Sequence, residues 1–131
     1  MLDDGREFVR PPLLVVVDDT PGVRSVISRA LTGVGHDVLT APDLPSAAAL
    51  IDGLPQSPAL AIVDLQMPHT RLEELIAWSR RCPEVPVIFV SSLPEDPDLI
   101  LPGLLLEKPF LMSTLCHIVG NVLELNDAGR K

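Results

Sequence analysis

Four short apolar runs punctuate the chain, at positions 13–17 (LLVVV), 60–63 (LAIV), 87–90 (VIFV) and 104–106 (LLL). None alternates with polar residues. Continuous runs of this length, largely β-branched, predict strands of a parallel sheet covered on both faces. A weaker run at 37–40 predicts one more strand, at an edge. Helical spacing fills the gaps. Val23, Val26, Ile27, Ala30, Leu31 and Val34 recur at that spacing after Pro21, which suits a first turn, and Gly33 and Gly35 end the pattern. Residues 46–54 predict an alanine-rich helix with Leu50, Ile51 and Leu54 on one stripe and Gly53 near its end. Leu72, Leu75, Ile76 and Ser79 form a third stripe, stopped before Pro83. Over 111–125, Leu111, Leu115, Ile118, Val119, Val122 and Leu123 share a face. Strand and helix thus alternate, which predicts a doubly wound α/β sheet with right-handed crossovers.

One crossover is cramped. Leu104 stands 13 positions after Ser91, and the segment contains Pro94, Pro97, Pro102 and Gly103. A parallel crossover needs at least about 10–12 residues including its helix. One or two helical turns around 98–101 are the most this segment accommodates.

Length and composition narrow the class. The 131 residues fit one domain, and a 47% hydrophobic content is enough for a core. Aromatics are only 3%, with no tyrosine, so aliphatic side chains must fill it. Ten basic and 18 acidic residues give a net charge of -8, which argues against broad nucleic-acid or anionic-membrane binding by this domain. No apolar run is long enough to cross a membrane. Residues 1–12 carry acids and no apolar segment, so they read as a tail or linker rather than a signal peptide. The domain is expected over 13–126, with a C-terminal tail at 127–131. Cys82 and Cys116 have no metal or redox spacing and read as reduced thiols, in keeping with a cytoplasmic protein.

In an open parallel sheet, ligands bind beyond the carboxyl ends of the strands. Asp18 and Asp19 follow the first run, Asp64 the run at 60–63, Ser91 and Ser92 the run at 87–90, and Glu107 and Lys108 the last. If these strands lie side by side, three carboxylates, a hydroxyl and an ammonium converge on one rim. Adjacent buried acids repel, and burial raises the cost. A hard divalent cation, which takes oxygen ligands, would compensate it. Lys108 adds positive charge without being a metal ligand. Such a site suits phosphoryl transfer, which is mainly positioning and charge neutralisation, with an aspartate as nucleophile.

The segments VVVDDTPGV, IVDLQMP, PVIFVSS and EKPF, in that order and each closing an apolar strand, resemble the four motif blocks of a two-component response regulator receiver domain. The resemblance spans roughly 13–125. It implies a flavodoxin-like, five-stranded parallel sheet of order 2-1-3-4-5, here with a shortened or irregular fourth helix. It also implies that Asp64 is the phosphoacceptor, that Asp19 is a direct Mg²⁺ ligand, and that Asp18 acts through bound water. The backbone carbonyl of Gln66 would be a further ligand, Ser91 the switch hydroxyl, and Lys108 the partner of the phosphoryl group. The family often has a cis peptide before Pro109. The implied donor is a histidine kinase or a phosphotransfer protein, acting on a monomer or weak dimer. The domain would assist its own phosphorylation and dephosphorylation without being an enzyme in the usual sense. Three departures stand out. Leu105 occupies the position of an aromatic switch residue, Arg71 and Leu72 replace an Asp-Gly pair, and the 91–104 segment is short.

Plainer readings stand beside these. Each acid alone reads as a loop residue capping a helix, Lys108 as a solvated lysine, and Ser91 as a cap, with Ser92 supplying the hydroxyl. Ser91 is favoured because it directly follows the apolar run. His36, His69 and His117 have no ligand spacing. GVGH at 33–36 follows a helix rather than a strand, so it is no phosphate loop. Trp78 is expected half-buried on the third helix, and Met67 at a loop base. Two other functions are compatible with the residues. One is a degenerate pseudo-receiver serving as an interaction platform. The other is an aspartyl-phosphate phosphatase, which the adjacent rather than alternate acids and the missing cap domain disfavour.

Overall fold

Leu13–Val17 form strand β1, and from Leu14 to Val17 every side chain is withdrawn from solvent. Successive side chains of a strand point to opposite faces, so a run buried at every position requires cover on both sides. The computed structural model, which describes residues 11–92 and 100–129, shows that cover. The elements that follow are α1 (Pro21–Gly33), β2 (Asp37–Ala41), α2 (Leu44–Asp52), β3 (Leu60–Asp64), α3 (Leu72–Arg80), β4 (Val87–Ser91), β5 (Leu104–Glu107) and α4 (Met112–Gly129).

All strand pairs are parallel and the order is β2-β1-β3-β4-β5, the flavodoxin-like arrangement. The two faces divide the core by strand parity. Val15, Val17, Ala61, Val63, Val87 and Phe89 pack with Leu44, Ala47 and Leu75 of α2 and α3. Leu14, Val16, Leu60, Ile62, Ile88 and Val90 pack with Ile27 and Leu31 of α1 and with Leu115 and Val119 of α4. The weak run at 37–40 is indeed an edge strand, and β5, with Leu104 half-exposed, is the other edge.

Several boundaries shift for local reasons. α2 begins at Leu44 rather than 46, because the Asp43 carboxylate accepts a hydrogen bond from Ser46 N at 2.8 Å and Pro45 suits the first turn. Leu111 does not share the apolar face of the last helix. It lies just before that helix, 70% exposed, and its carbonyl accepts from Leu115 N. The backbone of α4 runs on to Gly129.

The expected turns around 98–101 fall partly on 98 and 99, outside the described residues. Positions 100–103 are not helical, and among the described residues no helix separates β4 from β5. Gly103 explains how so short a link returns to the sheet. A Cβ there would collide with the Val87 carbonyl oxygen, so the backbone lies directly against β4.

Candidate functional site

The strand ends carry the polar residues out of the core. Asp18 N donates to Ala41 O at 3.1 Å, extending the β1–β2 ladder by one residue, and Asp18 is 3% exposed. Its Oδ1 accepts from Thr20 N at 2.9 Å, a turn closed by the aspartate side chain, after which Pro21 opens α1. The first turn of α1 reaches back, with Arg24 Nη1 donating to Asp18 O at 2.7 Å.

β3 ends in the same way. Asp64 is buried as the last residue of the strand, Leu65 N donates to Val90 O, and Asp64 Oδ1 accepts from Gln66 N at 2.9 Å. Two strands thus close with an aspartate folded onto an N–H two residues on. At the end of β4, Lys108 N donates to Ser91 O at 2.7 Å, which holds the end of β5 level with it. The Lys108–Pro109 peptide is cis.

The site therefore gathers residues distant in sequence. Asp18, Asp19 and Asp64 each offer a carboxylate oxygen, and these oxygens lie within 4.8 Å of one another. Lys108 Nζ stands 3.7 Å from Asp18 Oδ2. Ser91 is buried at the neighbouring strand end, where its Oγ accepts from Gln66 Nε2 at 2.9 Å. Burial holds the Asp64 carboxyl above its usual range; the charges of Asp18 and Asp19 add to the rise, while the Gln66 N–H and the Lys108 ammonium oppose it.

This donor set fits a hard cation. Magnesium takes oxygen ligands at about 2.0–2.1 Å, which allows about 4.2 Å between opposite ligands. The three carboxylate oxygens, all within 4.8 Å of one another, face a common point where such an ion could sit. Both Asp18 oxygens already have partners, Thr20 N and Lys108 Nζ, which suits contact through water better than direct ligation.

The other residues singled out lie apart. His36 is in the turn before β2, His69 follows the β3 loop with a φ of 62°, and His117 is exposed on α4. Trp78 is half-buried against the α2–α3 face, and Met67 is buried at the base of the loop after β3. Leu105 packs on that same face. Two contributors are not evident from the residue pattern: Arg24, and the side chain of Gln66. A lone basic residue in the first helical turn after an acid pair is a usable signal for Arg24. Nothing local marks the Gln66 side chain, because its partners lie 25 and 26 positions away.

Comparison with known proteins agrees with this geometry. The family model of the response regulator receiver domain matches residues 14–102. The chain is 29% identical over 91 residues to the probable transcriptional regulator ycf27 of Galdieria sulphuraria, covering 70% of this chain and 35% of that protein. It is 27% identical over 90 residues to the transcriptional regulatory protein AfsQ1 of Streptomyces coelicolor, covering 69% and 39% respectively. The chain therefore spans well under half the length of these relatives. Among solved structures, a CheY-like receiver domain protein of Methanospirillum hungatei superposes with a TM-score of 0.81 at 18% identity, over 91% of this chain and 98% of that one. The receiver domain of the hybrid histidine kinase CckA gives 0.71 at 28% identity, over 85% and 98%. With the family match over most of its length, the sheet order 2-1-3-4-5 and the acids gathered at the strand ends, the chain belongs to the receiver domains of two-component response regulators.

Proposed function

We propose that the domain accepts a phosphoryl group on Asp64 from the phosphohistidine of a histidine kinase or phosphotransfer protein, in a Mg²⁺-dependent reaction, and changes conformation in response. The observation that carries this reading is the meeting of three carboxylates within 4.8 Å, with a lysine ammonium 3.7 Å from one of them. A carboxylate oxygen of Asp64 attacks phosphorus. The P–N bond to the donor imidazole breaks, its nitrogen keeps the electron pair, and Asp64 becomes an acyl phosphate. Hydrolysis later breaks the P–O bond to Asp64 and releases inorganic phosphate. Asp19, Asp64 and the Gln66 backbone carbonyl would hold the cation directly, and Asp18 through water. When bound, the cation neutralises charge on the carboxylate and phosphoryl oxygens. Lys108 pairs with one phosphoryl oxygen and Ser91 donates its hydroxyl to another.

The added charge biases the loops beside Ser91 between two arrangements. The downstream partner is a protein contacted by that surface, in a cytoplasmic setting. Neither nucleic acid nor membrane is bound by this domain. Among the described residues no helix is long and apolar enough to cross a membrane.

A small phosphoramidate donor with Mg²⁺ tests the reading. The intact mass should rise by one phosphoryl group, and Asp64→Asn should abolish the gain. A second reading, a platform that never cycles, draws on Leu105 in place of the aromatic residue and on the short β4–β5 link. Tight binding of beryllofluoride with Mg²⁺ would exclude it.

A further inference from the structure

Beside Asp64, the side chain of Gln66 makes three hydrogen bonds that tie the β3 loop to the end of β4. Gln66 Nε2 donates to Ser91 Oγ at 2.9 Å. Gln66 Oε1 accepts from Ser92 N at 2.7 Å and from Ser92 Oγ at 3.2 Å. The backbone N–H of the same residue donates to Asp64 Oδ1 at 2.9 Å. We propose that Gln66 is a positioning residue, whose carboxamide clasps Ser91 and Ser92 and sets the hydroxyl that meets a phosphoryl group on Asp64. The proposal rests on the phosphoacceptor reading of Asp64.

The orientation of the amide follows from its partners. A backbone N–H can only donate, so the end facing Ser92 N must be the carbonyl oxygen, and the end facing Ser91 Oγ must be the NH₂ group. The Ser91 oxygen therefore accepts from Gln66, so its own O–H points away from that amide. That is the polarity an anionic phosphoryl oxygen requires of the hydroxyl. A serine has a freely rotating hydroxyl, and a fixed donor on its oxygen removes much of that freedom. Ser92 directly follows β4. The clasp thus joins Asp64, through Gln66, to the residues that close and follow β4.

The test compares the unsubstituted protein with Gln66→Leu, which keeps the volume and removes both ends of the clasp. Gln66→Asn keeps the carboxamide but is one methylene too short to reach both partners. Ser92 amide exchange and affinity for beryllofluoride with Mg²⁺ are measured, each also in the Ser91→Ala background. Both substitutions should speed exchange at the Ser92 amide and weaken beryllofluoride binding about fivefold, the loss of one or two hydrogen bonds. With Ser91→Ala already present, they should weaken it no further, because Gln66 acts through that hydroxyl. Unchanged Ser92 exchange, full beryllofluoride affinity of Gln66→Asn, or an undiminished effect in the Ser91→Ala background would overturn the clasp. Failure of the unsubstituted protein to bind beryllofluoride while its Ser92 amide is protected would instead remove the phosphoacceptor reading, and the positioning role with it.

Discussion

Lys108 Nζ lies 3.7 Å from Asp18 Oδ2, although the two residues close strands that are not neighbours. β3 and β4 stand between β1 and β5. With adjacent strands about 4.8 Å apart, the two backbones are separated by roughly 14 Å. The ion pair therefore bridges the rim that Asp64 and Ser91 occupy, and it is the cationic counterweight of the acid cluster.

Removing that cation should be felt. Lys108→Met leaves the three carboxylates without their ammonium, with Asp18 buried. Stability in the absence of divalent ions should fall by about 1–2 kcal/mol, and the Asp64 carboxyl should titrate higher still, since Lys108 now holds it down. Chemical denaturation at low salt checks the first and NMR titration of Asp64 the second. Equal stability of the two proteins would show that the ion pair carries no weight.

Asp64 itself is a source of instability at neutral pH. Its carboxyl titrates above the ordinary value, chiefly through burial, so the folded state binds the proton more tightly than the unfolded one. Stability from this group is complete below the unfolded value and is lost as pH rises through the folded value. Asp64→Asn should therefore raise Tm near pH 7 by about 4 °C, equivalent to about 1 kcal/mol in a domain of this size. The gain should vanish in acid below the ordinary carboxyl range, where Asp64 is protonated in both states. Thermal melts across pH read both halves, and a gain that persists in acid would locate its origin elsewhere.

The acid cluster predicts a metal-dependent melt. A ligand present at 100 times its dissociation constant stabilises by about 2.7 kcal/mol, so Tm should climb with added Mg²⁺. Asp19→Ala should start from a higher Tm without metal, because one repelling charge is gone, and should respond much less to Mg²⁺. Parallel curves for the two proteins would exclude Asp19 as a ligand.

Gly103 offers a test of how the link between β4 and β5 is seated. A methyl group there would collide with the Val87 carbonyl oxygen and meet Phe89 Cε2 at 3.1 Å. Val87 O is backbone in the sheet and cannot turn aside. Gly103→Ala should cost more than about 2 kcal/mol, with denaturant midpoints as the readout, whereas Gly22→Ala, with nothing within 4 Å, should be tolerated.

Much of this molecule was legible along the chain. Runs such as Leu13–Val17 and Val87–Val90 announce strands buried on both faces, since they are continuous, rich in β-branched residues and too short for a buried helix. Such strands require helices between them and a parallel sheet. The polar residue closing each run is equally local information, so Asp18, Asp64, Ser91 and Lys108 could be named as rim residues before any coordinates. Helix ends set by caps were less legible. Leu111 has the right spacing for the apolar face and yet precedes α4, because periodicity cannot see which residue supplies the first carbonyl.

Tertiary structure alone decided how the rim residues engage one another. Side chains meet according to strand order and loop path, and these are collective properties of the packed sheet. Lys108 finds Asp18 across two intervening strands, Arg24 turns back onto the Asp18 carbonyl, and Gln66 reaches Ser91 and Ser92. The residue types at the site were therefore set by local patterning, whereas their pairing arose only when folding brought separate strand ends to one edge.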